Sequence, residues 1–287
     1  MPIDNSKYNH LFVTEIDDIY NILLEEELVF LYDTVAISHH EKSFYKYNEN
    51  IVKEYSRHHP ILLTETIFNE LRIEEDTEGR YEDFLRQFPL VIVLSEEDFP
   101  KMLAKIFSSS KHIFAKFRES AVICFQTFVD LSNSFSRKED INDIMTEYHD
   151  FFDGKKNKGE YSLLWLSNIL RWINPNLQIH FMGVDRDLYS IVYHCYFRHE
   201  SFEKLLRRKA AKVEIMSTDS LLFGFAIQKS FSEETLKDLC TKYREENRKL
   251  LYKEVKSGIP SHHLLDKKIT NDNFVLDSLE SRIIVVY

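Results

Sequence analysis

Apolar residues along this chain follow two rhythms: a helical period of about 3.6 residues, and short unbroken runs. Residues 11–27, LFVTEIDDIYNILLEEE, place Leu11, Phe12, Ile16, Ile19, Tyr20, Leu23 and Leu24 at helical spacing, which predicts a helix. The run LVFLY at 28–32 is continuous, reads as a buried strand, and stops on Asp33 and Thr34. Residues 39–60 are polar, basic and aromatic, and read as a loop with a short helix. From 61, ILLTETIFNELRIEED reads as one helix, with Thr64 as a cap and Ile67, Phe68 and Leu71 facing inward. The apolar run at 90–94 predicts a second strand, followed through Ser95 by a helix with acids in its first turn.

Residues 111–152 predict two further helices separated by SFSRKED, and DGKKNKGE is a loop before the apolar helix EYSLLWLSNILRW. LQIHFMGVDRD is a strand ending in acids. After it come a helix near 186–208, a strand at 212–217 and a helix through 219–230. Residues 232–257 read as a charged helix, and SRIIVVY as a closing strand at a sheet edge. Strands alternating with helices argue for an α/β fold with a mainly parallel central sheet flanked by helices. The expected organisation is a helical extension over 1–27, a central domain over 28–231, and a helical extension ending in a strand over 232–287.

Composition narrows the possible partners. With 287 residues and 44% hydrophobic positions the chain can bury a sizeable core. A net charge of −10 argues against coating nucleic acid by bulk electrostatics, but leaves room for a local basic groove beside an acidic centre. Cys124, Cys195 and Cys240 are widely spaced among apolar or helical residues and read as reduced thiols. No apolar run approaches the roughly 18 residues that span a membrane. The opening MPIDNSKYNH has no basic segment leading into an apolar one. No membrane partner or signal peptide is expected, and the expected compartment is the cytoplasm.

The candidate chemistry lies in acids at element ends. Asp33 follows the first strand, Asp185 and Asp187 follow LQIHFMGV, Glu70 closes TETIFNEL, and Glu160 opens the helix after KKNKG. Each alone is an ordinary cap or turn residue. Ligands of an open parallel sheet bind beyond the carboxyl ends of its strands, so the shared placement is what counts.

In order, LYDT, LTETIFNEL, GEYSLLWLS and VDRD resemble the motifs of PIN-domain nucleases. In that family a strand ends in Asp followed by Ser, Thr or Asn, and a helix has Thr near its start and Glu before Leu. A GE pair then opens an apolar helix, and a strand ends in a Thr-x-Asp-x-Asp type turn. The resemblance covers roughly residues 28 to 230. It implies a PIN-like three-layer fold, with Asp33, Glu70, Glu160 and Asp185 as catalytic metal-site acids and Asp187 as a fifth. Thr34 would stand beside the first acid. Gly183 departs from the pattern, because a Thr or Ser is usual there.

Two carboxylates about 4 Å apart repel by roughly 4 kcal/mol at an effective dielectric near 20, so a cluster of four calls for protons or cations. Oxygen donors alone suit Mg²⁺ or Mn²⁺. The implied activity is metal-dependent endonuclease cleavage of phosphodiester bonds, in RNA rather than DNA, with Lys155, Lys156 and Lys158 on the substrate backbone. Two alternatives stay open: a catalytically silent scaffold of the same fold, and a toxin or defence nuclease controlled by a protein that docks on 232–287.

Overall fold

The computed structural model describes residues 12–197, 212–228 and 231–287. Its centre is a five-stranded parallel sheet of β1 (Leu28–Tyr32), β2 (Ile61–Thr64), β3 (Val91–Leu94), β4 (Gln178–Met182) and β5 (Val213–Met216), in the order β3-β2-β1-β4-β5. Every residue of β2 and β3 is buried, as are all but the first of β1 and β4. Side chains alternate between the faces of a strand, so both faces of this sheet are covered, which is why the strands read as continuous apolar runs. β1 pairs with β2 on one side and with β4 on the other, Phe30 facing both Ile61 and His180. The chain moves outward from β1 to β2 and β3, then returns to the other side for β4. The strand order therefore reverses between β1 and β4, the place where ligands of open parallel sheets bind.

The helix Lys158–Ile173 is buried on nearly every side and packs on β1 and β2. Trp165 anchors it among Phe99, Phe117, Phe125 and Tyr148, and its indole N–H donates to Ser120 Oγ at 2.8 Å. This apolar seat fixes the helix N-terminus, and with it Glu160, beneath the strand tips. Among the described residues no helix is long and apolar enough to cross a membrane.

Several expected elements differ. Residues 61–64 are strand β2, and the helix capped by Thr64 is the short Glu65–Glu70. Four apolar residues are too few to show a period, and Thr64 both ends the strand and caps the helix by accepting from Ile67 N–H at 3.3 Å. Residues 39–60 are mostly helical, in Thr34–Tyr47 and Ile51–Ser56. Their inward face is polar by composition but partnered: His40 bonds Tyr32 and Thr218, and Glu41 pairs with Arg80 at 2.7 Å. Three helices fill 110–152, namely Ser110–Cys124, Val129–Arg137 and Ile141–Phe152, and the middle one takes in Ser134–Arg137.

The ends of the chain also depart from expectation. Phe12, Val13 and Thr14 run along β3, with Val13 exchanging backbone bonds with Val91 and Val93 before the helix Ile16–Glu25. The charged helix after 232 stops at Tyr243. Asn247 takes a left-handed backbone, and Arg248–Lys256 is strand β6. β6 pairs antiparallel with β7 (Ile259–Pro260), β8 (Leu265–Ile269) and β9 (Ile283–Val285), all supplied by later chain, so no local pattern announced it. The 186–208 helix is described over Arg186–Phe197, and RHESFEKLLRRKAA beyond it lies outside the described residues.

Candidate acid centre

Asp33 stands at the tip of β1 and caps the helix Thr34–Tyr47, accepting from Val35 N–H at 3.2 Å. Its side chain is almost wholly buried. Burial, followed by the charge of Asp185, pushes its carboxyl up to about 7, with Glu70 adding to the rise and backbone donors opposing it. Glu160, in the first turn of the buried helix, is pushed up to about 8 by burial and then by Asp33, with Glu70 and Asp185 adding. Asp33, Glu70, Glu160 and Asp185 come from four separate elements and share one electrostatic neighbourhood.

Glu70 is held on both oxygens. Thr34 Oγ1 donates to Oε2 at 2.6 Å, and Gly159 N–H donates to Oε1 at 3.2 Å. A Cβ at position 159 would lie 2.6 Å from Glu70 Oε2 and 2.7 Å from Ile67 Cδ1, so only glycine lets the helix start approach this closely. Thr34 thus orients an acid, a more specific task than standing beside the first one. Thr64 and Ser162 share a 2.6 Å hydrogen bond below the site and tie the strand tip to the same helix.

Asp185 lies in the turn after β4, and its Oδ1 accepts from Asp187 N–H at 3.1 Å. Asp187 itself is exposed in the first turn of the following helix and is not among the charges that raise Asp33 or Glu160. The turn is fastened by the C-terminal sheet. Tyr287 Oη donates to Asp185 O and Arg248 Nη2 to Val184 O, each at 2.6 Å, while Arg186 forms a bidentate pair with Asp266 at 2.8 and 3.0 Å. The Gly183 departure follows from this. A Cβ there would meet Tyr287 Oη at 2.6 Å, so the tyrosine occupies the space a side chain at 183 would need, and its hydroxyl holds the turn. Burial and the Asp185 and Asp33 carboxylates hold the Tyr287 phenol well above its usual range, so it stays a donor.

The three lysines separate. Lys158 lines an open cleft of about 990 Å³ over the tips of β2 and β3, with Glu65, Thr66, Glu70, Glu96 and His149. Lys155 lies over the Phe151 ring and Lys156 is exposed. Glu96, buried in the cleft wall and pushed up to about 7 by that burial, carried no sequence signal beyond its place in a first turn. Tyr287 and Arg248 carried none, because their partners are far away in sequence.

The donor set is all oxygen, and two of its carboxyls retain protons near neutrality, as expected of a site whose charge a hard divalent cation would balance. Among the described residues, however, no three His, Cys, Asp or Glu side chains stand close enough to grip one metal ion as they are. Comparison with protein families, curated proteins and solved structures gives no match.

Proposed function

We propose that the chain is a PIN-like, metal-dependent endonuclease that cleaves phosphodiester bonds, with RNA as its expected substrate. The observation that carries this reading is the shared electrostatic neighbourhood of Asp33, Glu70, Glu160 and Asp185, in which Asp33 and Glu160 are raised by burial and by the other acids. Asp33, Glu70, Glu160 and Asp185 would hold Mg²⁺ or Mn²⁺, with Glu70 held in place by the donors Thr34 and Gly159. When bound, such an ion supplies a nucleophilic hydroxide near neutral pH and charge for the leaving oxygen. Glu160 and Asp33 would release their protons on loading, and Lys158 would meet the substrate backbone in the adjoining cleft.

A second reading is a catalytically silent binding or scaffold protein of the same fold, favoured by Gly183 standing where the resemblance expects Thr or Ser. The test is incubation of labelled RNA and single-stranded DNA with Mn²⁺, Mg²⁺ or chelator. Cleavage of RNA only with metal, abolished in Asp33→Asn, supports the nuclease. Binding without cleavage under every condition supports the scaffold. As for control by a docking protein, the 232–287 segment already makes the contacts that fasten Val184–Arg186.

A further inference from the structure

The C-terminal sheet carries a charge opposite to that of the chain as a whole. Residues 248–268 hold six lysines and arginines against two acids, in a protein whose net charge is −10. Side chains alternate along a strand, which places Lys249, Leu251 and Lys253 of β6 on one face. The register sets Lys268 of β8 opposite Lys249, and Asp266 opposite Leu251. On the other face Leu250, Tyr252 and Ile269 are buried. Lys249 and Lys268 are exposed and Lys253 is half-buried, and among the described residues none of the three forms an ion pair.

Lysines on a border strand ordinarily keep other strands from pairing with it. β8 ends the order β7-β6-β8, so that reason covers Lys268. It does not cover Lys249 and Lys253, because β6 is the inner strand to which β7, β8 and β9 all pair. Like charges directly opposite one another on paired strands also cost stability. An acidic chain that leaves Lys249 facing Lys268 has a use for an anion from outside.

We infer that Lys249, Lys253 and Lys268 form a phosphate-binding surface for a polynucleotide strand that crosses the acid centre. The inference rests on the proposed function for its ligand class. Its position argues for that anion. Arg248, next to Lys249, donates to Val184 O, and Asp266, on the lysine face, holds Arg186, so the surface is fastened to both sides of Asp185. Lys268 stands two residues from Asp266, about 7 Å along the strand. Lys158, over the tips of β2 and β3, and this surface, fastened after β4, lie on opposite sides of Asp33 at the tip of β1. Carboxylates repel phosphates, and a strand laid across them is held by cations on either side.

The test compares the parent protein with Lys249→Gln/Lys268→Gln and with Lys53→Gln/Lys111→Gln, which removes two charges from the helices Ile51–Ser56 and Ser110–Cys124. The probe is fluorescein-labelled oligouridylate of about 12 nucleotides, within the range of single-strand sites. Anisotropy is read in chelator at several salt concentrations, so that cleavage does not intervene. Loss of two phosphate contacts should weaken binding roughly ten-fold and lower the salt slope by about 1.4, at roughly 0.7 per contact. The Lys53/Lys111 variant should bind as the parent does. The sheet variant should melt no lower than the parent, because a repulsion has been removed. Equal binding by parent and sheet variant, equal losses in the two variants, or no binding by the parent overturns the surface. A lower melting midpoint in the sheet variant overturns it too, because the lysines would then serve the fold. So does poly-glutamate that displaces the probe as well as unlabelled oligouridylate of equal charge, because an acidic protein would then fit equally. Lysine-dependent binding without cleavage in any metal leaves the surface standing and sinks the nuclease reading alone.

Discussion

Gly159 and Gly183 look alike in sequence, yet each makes room for a different neighbour. A methyl at 159 would press on Glu70 and Ile67, so Gly159→Ala is expected to cost about 1–3 kcal/mol and to disturb the orientation of Glu70. Gly183→Thr, which would supply the residue usual in the resemblance, should destabilise by a similar ~1–3 kcal/mol, because it displaces Tyr287. Urea denaturation of both variants checks this, and a Gly183→Thr protein as stable as the parent would refute the role given to Tyr287. The raised acids predict a pH dependence whose sign is fixed. Asp33 and Glu160 keep protons in the fold up to about 7 and 8, whereas in the unfolded chain they release them near 3.8 and 4.5. Between these limits the folded state binds more protons, so in chelator stability is greatest at the acid end of the window and falls as pH rises towards 8. The fall should be shallower in Asp33→Asn; parallel pH profiles for the two proteins would contradict it.

At the scale of elements, Asp33, Glu70, Glu160 and Asp185 were legible because each ends or opens an element with its own local signature. A strand run stopped by Asp and a GE pair before an apolar helix are examples. β2 was hidden because Ile61–Thr64 is only four residues long and merges into the helix it caps. β6 was hidden because its pairing partners lie later in the chain. The KKNKG loop looked like one basic unit, but only Lys158 lines the cleft beside Glu70. Lys158→Ala should therefore weaken nucleic-acid binding and lower its salt slope by about one, whereas Lys156→Ala should leave both nearly unchanged. Titrations at several salt concentrations decide this, and equal effects from the two lysines would return the loop to a diffuse charge patch.

On the scale of the whole molecule, the C-terminal sheet clamps the Asp185 turn, through Tyr287, Arg248 and Asp266, and the parallel sheet sets the other three acids around it. Under the proposed function these acids share a cation. A carboxylate kept for structure should lose stability when neutralised, whereas one held among like charges should gain. A ligand that binds only the folded state stabilises it by about 2.7 kcal/mol at a hundred times its dissociation constant. The decisive measurement is thermal melting of the parent and Asp33→Asn at pH 8, in chelator and across a Mn²⁺ series. The variant should melt at least as high as the parent in chelator, and Mn²⁺ should raise the parent's midpoint far more than the variant's. A variant that melts lower in chelator and responds to Mn²⁺ as the parent does would make Asp33 a helix cap and nothing more.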